Sequence, residues 1–137
     1  MIRDIVTSPL MLRMPSEEAT ADDLQIGQDL LDTLLAHAHE CVGMAANMIG
    51  VRKRIIAVAD GAMTLLMFNP CITEREGAYE AVEECLSLPG RKTPATRHAR
   101  ITVTYRDESF RTRTREFSGM TAQIIQHEVD HCDGIVV

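Results

Sequence analysis

The spacing of apolar residues changes several times along the chain. Between Thr20 and Glu40, Leu24, Leu31, Leu35 and Ala38, flanked by Leu30 and Leu34, recur at helical intervals and predict one helix with that side inward. Thr20 suits the N-cap, Asp22 and Asp23 the positive first turn, and His37 and His39 the negative last turn. These two histidines therefore need no catalytic role. The runs RIIAVAD (54–60) and MTLLMFNP (63–70) are short, apolar and bounded by Gly61 and Pro70, as the strands of a covered hairpin would be. Over 100–117, Ile101, Val103 and Tyr105 alternate with polar neighbours, a turn falls at Asp107 to Ser109, and Thr and Arg alternate beyond it. This predicts a second hairpin, with Arg106, Arg111, Arg113 and Arg115 as a solvated face that discourages edge pairing. Residues 118–134 return to helical spacing. Ser118 is placed to cap, Gly134 to terminate, and Met120, Ile124, His127 and His131 form one stripe. Ile125, Val129 and Cys132 form a neighbouring stripe, so this helix is expected to be buried around much of its circumference.

Composition narrows the class. The 137 residues suit a single domain spanning 1–137, and there is no repeat, linker or low-complexity run to divide it. With 45% hydrophobic and 25% charged residues the chain is expected to fold rather than stay disordered. A net charge of -6 argues against nucleic acid as the partner, because phosphate-tracking surfaces concentrate positive charge. Small molecules or peptides fit better. The opening MIRDIVTSPLMLRM has no continuous apolar segment and nowhere do 18 apolar residues run together, which predicts a cytoplasmic protein without a membrane partner. In that compartment Cys41, Cys71, Cys85 and Cys132 are expected to be free thiols or metal ligands.

The chemistry concentrates in the last helix. His127-Glu128-Val129-Asp130-His131 has the H-E-x-x-H spacing, in which two imidazoles one turn apart can chelate an ion while the glutamate between them meets its water. The plainer alternative is a pair of helix histidines matched with acids. Two imidazoles leave a divalent cation short of protein ligands. Cys85, between a predicted strand and the Pro89-Gly90 turn, is the candidate third ligand, although a cysteine so placed is more often a small buried residue. Cys132 sits about a hundred degrees off the ligand stripe and Cys71 adjoins Pro70 at a strand end, so both are assigned to the core. No fourth ligand stands at a convincing position, which favours an open catalytic centre over a closed structural one.

Three separated segments together resemble the signature motifs of peptide deformylases, in the family's order. Residues Cys41-Val42-Gly43-Met44-Ala45-Ala46-Asn47-Met48-Ile49-Gly50 resemble G-x-G-x-A-A-x-Q-x-G, Glu83-Glu84-Cys85-Leu86-Ser87 resembles E-G-C-L-S, and Gln126 through His131 match Q-H-E-x-D-H throughout. Asn69-Pro70 also resembles an Asn-Pro lying between the first two motifs. The resemblance implies an α+β fold, with mainly antiparallel sheets packed around the central helix that carries HExxH. It implies removal of the N-formyl group from the initiator methionine of nascent proteins. Cys85, His127 and His131 become ligands to one divalent metal, iron(II) first, with zinc or nickel tolerated. Glu128 becomes the general base and acid, and the Leu86 N–H a donor to the developing oxyanion. Gly43, Met44, Met48, Leu86 and Ile124 take substrate-groove positions. The implied partners are N-formylated nascent peptides, with the ribosome as a further candidate.

Three departures bear on that implication. Met48 stands where the family has glutamine, and a thioether donates no hydrogen bond. Asn47 offers an amide one residue earlier only if the loop is rotated. Glycines are replaced by Cys41 and Glu84, which can reshape the groove, and Glu84 sets a carboxylate beside the ligand thiol. These changes motivate a second reading: a catalytically weakened homologue that binds, regulates, or acts on another N-acylated peptide.

Overall fold

A computed structural model describes residues 1–137. Its elements are α1 (Pro9–Leu12), a 3-10 turn at Ala21–Asp23 leading into α2 (Leu24–Ala36), β1 (Gly43–Ala45), a second 3-10 turn at Ala46–Ile49, β2 (Ile55–Asp60), β3 (Met63–Cys85), β4 (Leu88–Arg106), β5 (Thr112–Ser118) and α3 (Gly119–Cys132). The five strands form one antiparallel sheet in the order β1-β2-β3-β4-β5, giving the expected α+β architecture.

The period-2 alternation of β2 divides the core. Ile55 and Ala57 pack with Phe68 and with Leu30 and Leu34 of α2, while Ile56 and Val58 face Ile124, Ile125 and Val129 of α3. The sheet thus separates the two helices, with α3 buried against one face. Gly27 allows the close approach of α2 on the other face, since a Cβ there would lie 2.4 Å from Phe68 Cζ.

Helix α2 is shorter than the predicted 20–40, and its inward side is different. Thr20 caps as expected: its N–H bonds the Asp23 carboxylate at 2.8 Å and its hydroxyl accepts from Asp22 N–H at 3.2 Å. The buried face, however, is Gly27, Asp29, Leu30, Thr33 and Leu34, while Leu24 and Leu35 are 37% and 55% exposed. The N-terminal segment explains the rotation. Arg3 ion-pairs with Asp29 at 2.7 Å and its N–H bonds Thr33 Oγ1 at 2.9 Å, so polar residues can be buried there with partners. His37 bonds the Thr33 carbonyl at 2.9 Å and His39 is exposed, in keeping with structural roles at the helix end.

Strand β3 runs through Pro70 rather than stopping there. Asn69 has φ 53° and the register shifts between Phe68 and Cys71, a bulge at which a residue without an N–H can be accommodated. The Asn69 side chain accepts from Ala19 N–H at 2.7 Å and donates to its carbonyl at 2.9 Å, fastening the N-terminal segment to the bulge. Cys71, assigned to the core from sequence, is exposed, because the strand there has already left the covered part of the sheet. Beyond it β3 and β4 continue as a long, largely exposed ribbon whose charged sequence carries little apolar alternation. Cys85 is consequently the final residue of a strand and not a loop residue. The turn between β4 and β5 and the exposure of Arg106, Arg111, Arg113 and Arg115 along the sheet's edge agree with the sequence reading.

Helix α3 begins directly where β5 ends. Ser118 makes no side-chain capping bond, and Met120 is 67% exposed, so neither serves as predicted. From Ile124 onward burial matches the two-stripe reading, with Cys132 in the core, and Gly134 ends the helix at φ 75°, donating to the His131 carbonyl at 3.1 Å.

Candidate metal centre

Helical spacing places His127 and His131 one turn apart, and the end of β3 brings Cys85 to the same point. Their donor atoms lie within 4.8 Å of one another and all three residues are buried. The two Nε2 atoms are 3.1 Å apart. Two nitrogens on one tetrahedral ion at about 2.0–2.1 Å would lie roughly 3.3 Å apart, so the donor geometry fits a single divalent cation.

The orientation of His127 is fixed from behind. Its Nδ1 is 2.7 Å from Glu83 Oε1, which leaves Nε2 directed at the other donors. Glu83 is held in turn by the Arg97 guanidinium, whose Nη2 lies 2.6 Å from Oε1, and by the Gln123 amide at 2.9 Å. Arg97 reaches on to Asp130 at 2.6 Å, and Gln126 bonds both backbone groups of His98 at 2.8 Å. A polar seam therefore ties the ribbon to α3. Burial opposes a charge on His127, but the Cys85 and Glu83 hydrogen bonds prevail and push its pKa up to about 10. Burial, aided by His127, pulls His131 down to about 3, and its Nδ1 has no protein partner.

Glu128 sits between the two imidazoles in sequence and is buried, with Oε1 bonded to nothing. Burial raises its pKa to about 7, against the opposing pull of His127. Gly43 is essential to this closeness: a Cβ there would lie 2.5 Å from Ile124 Cγ2 and 2.9 Å from Glu128 Oε2. A cavity of about 240 Å³ opens beside these groups. Gly43, Met48, Cys85, Leu86, Ile124, His127 and Glu128 border it. Met44 does not: the pleat turns it away from the cavity into the fully buried core against α2.

The altered motif positions are equally definite. Asn47 donates to the His131 carbonyl at 3.0 Å, so its amide supports α3 rather than facing the cavity. Met48 is 1% exposed and its sulfur accepts from Ala45 N–H at 3.5 Å. The Cys41 thiol donates to the Gly43 carbonyl at 2.9 Å, and burial pushes its pKa up to about 11. Sequence reasoning missed the positioning set Glu83, Arg97, Gln123 and Asp130. Glu83 and Asp130 lie inside recognised motifs, and an acid near a ligand histidine is a usable signal. Arg97 carried none, being one of several arginines in an unassigned stretch.

A thiol and two imidazoles whose donor atoms converge beside a cavity, with a partnerless carboxylate at its wall, form a donor set of the kind a metal-dependent hydrolase uses. The family described as polypeptide deformylase matches residues 2–137. The chain belongs to that family, whose members are hydrolases that remove the N-formyl group from newly made polypeptides. A peptide deformylase of Clostridium beijerinckii is 50% identical over 138 residues, covering 100% of both chains. The crystal structure of the peptide deformylase from Thermus thermophilus superposes with TM-score 0.87 at 34% identity, covering 99% of this chain and 83% of that one. The Met-Ala-Ser-bound class I type b peptide deformylase of Acinetobacter baumannii superposes with TM-score 0.88 at 26% identity, covering 99% and 96%.

Proposed function

We propose that this chain, as one domain in the cytoplasm, deformylates nascent peptides that begin with formyl-methionine. In this reading Cys85, His127 and His131 hold the metal and Glu128 carries the proton. The observation that bears most weight is Glu128: a buried carboxylate with a free oxygen, at the cavity wall, next to two converging imidazoles. When bound, a divalent cation would polarise the formyl carbonyl and acidify water. Iron(II) is the metal favoured by this reading, and a thiolate with two imidazoles also accepts zinc and nickel.

The protein's own groups supply the rest. A pKa near 7 lets Glu128 take a proton from water as the water oxygen bonds to the formyl carbon. When the C–N bond breaks, the same carboxyl returns that proton to the departing amine, leaving formate and a free α-amino group. Leu86, at the turn after Cys85, borders the cavity, and in this reading its backbone N–H is the donor for the developing oxyanion. Ile124, Met120 and Val42 form an apolar wall suited to a methionine side chain. Nascent chains reach such a site as they leave the ribosome, which makes the ribosome a further candidate partner.

Met48 favours a second reading, a homologue with weakened turnover, because neither residue 47 nor residue 48 presents an amide to the cavity. Anaerobic purification with metal analysis, followed by formate release from formyl-Met-Ala-Ser, separates the two. About one metal per chain with efficient formate release supports deformylation. Full metal occupancy with negligible release supports the weakened homologue.

A further inference from the structure

The two imidazoles of the candidate metal centre are supported unequally. His127 Nδ1 rests on Glu83 at 2.7 Å, which turns its Nε2 toward the other donors. His131 is 0% exposed, its Nε2 lies 3.1 Å from His127 Nε2, and its Nδ1 bonds no protein group. A neutral imidazole that offers a lone pair at Nε2 carries its proton on Nδ1, and a buried N–H of that kind calls for an acceptor. One stands on the residue that already grips His131. Asn47, 2% exposed, donates from Nδ2 to the His131 carbonyl at 3.0 Å, and its Oδ1 is buried and bonds no protein group either. Oδ1 shares its amide carbon with Nδ2, so an unmatched donor and an unmatched acceptor belong to two residues already joined.

The 3-10 turn that carries Asn47 is firmly set. Gly50, at φ 84°, closes it with its N–H on the Asn47 carbonyl at 3.1 Å, Val51 N–H bonds the Ala46 carbonyl at 3.0 Å, and Val6 N–H bonds the Met48 carbonyl at 2.7 Å. Turning the amide over would set Oδ1 against the His131 carbonyl oxygen, two acceptors face to face, so its orientation is fixed too. Buried waters commonly satisfy such atoms, and one water with bonds of about 2.8–3.0 Å joins groups up to roughly 5.5 Å apart. We propose that Asn47 is a positioning residue for His131. Its Nδ2 fastens the last turn of α3, and one buried water accepts from His131 Nδ1–H and donates to Asn47 Oδ1, which keeps the Nε2 lone pair free for a cation. The inference rests on the reading of His131 as a metal ligand. Asn47 does not line the cavity, and it does for His131 what Glu83 does for His127.

The test uses zinc alone as the probe. Asn47→Leu keeps the volume and removes both polar contacts, while Ile49→Val changes only the packing of a buried residue in the same turn. A zinc-competition titration should show about ten- to a hundredfold weaker binding in N47L, as for loss of the partner behind a ligand histidine, and unaltered binding in I49V. In zinc-loaded unaltered protein with isotope-labelled histidine, magnetic resonance should find the His131 Nδ1 proton slow to exchange and in contact with a bound water. N47L should lose that protected signal. Equal zinc affinity in N47L and the unaltered protein, the same loss in I49V, or an Nδ1 proton with no water contact overturns the inference while leaving His131 a ligand. If N47L does not fold, the Nδ1 proton and its water contact in the unaltered protein decide by themselves. An unaltered protein that takes up no zinc overturns the ligand reading and the inference with it.

Discussion

At the scale of single residues, Glu128 and Met48 carry the sharpest expectations. Glu128→Ala should keep its metal, because the three donors are untouched, and should lose at least about a hundredfold in turnover through removal of a positioned base. Loss of the metal in that variant would make Glu128 a ligand or a structural group instead. Met48→Gln should raise kcat toward a formylated Met peptide about ten-fold or more, on the order of 1.4 kcal/mol, by adding a donor where charge develops. KM should move less, since that contact strengthens mainly in the transition state. Unchanged kcat in a folded, metal-loaded variant would show that another group already holds the oxyanion. Much of this was legible in the sequence. H-E-x-x-H specifies its own geometry through the helical period, and asking what could complete a ligand set points to Cys85, whose sulfur lies within 4.8 Å of both imidazole donors. That Asn47 faces away from the cavity was legible in the alternation of neighbouring side chains; its partner, the His131 carbonyl, was not, because it depends on where the far end of α3 lies.

At the scale of elements, the ribbon of β3 and β4 depends on α3 through polar contacts, and the candidate metal centre depends on the ribbon. Glu83→Gln tests the connection: it preserves shape while weakening the bond that orients His127. Metal affinity should fall about ten- to a hundredfold, as is typical for loss of a carboxylate behind a ligand histidine. A metal-competition titration should show this with helix and strand content unchanged. Affinity equal to the unaltered protein would mean that packing alone orients the imidazole. The elements themselves were unevenly visible in the sequence. The second hairpin and α3 announced themselves through alternation and helical spacing. The ribbon did not, since residues such as Glu74, Glu76 and Glu80 are solvated on an exposed strand pair and carry no hydrophobic signal. The inward side of α2 was misread because local periodicity cannot foresee that Arg3 will cover Asp29.

At the scale of the whole molecule, that same contact closes the N-terminal segment over the core. Asp29 is 2% exposed and its pKa is lowered from 3.8 to about 2, first by the Gln25 amide, with burial opposing and the Met1 amino group and Arg3 assisting. A carboxylate with a depressed folded-state pKa stabilises the fold above its unfolded value and loses that contribution as pH falls through the folded one. Asp29→Asn should therefore lower Tm most at neutral pH, with the deficit shrinking between about pH 4 and pH 2. A deficit independent of pH would assign the effect to packing.

The placement of the three donors also bears on how fast the molecule comes apart. Cys85 ends one arm of the ribbon, while His127 and His131 lie beyond the return strand, β5 and the start of α3. The donors therefore converge only after a large stretch of intervening chain has been arranged, and such long-range closures form slowly and late. An interaction absent from the folding transition state slows unfolding and leaves the refolding rate nearly unchanged. In stopped-flow experiments, saturating zinc should lower the unfolding rate of this protein by an order of magnitude or more while the refolding limb stays within about two-fold. Acceleration of refolding by zinc would place the donors together early, as a nucleus around which the sheet assembles.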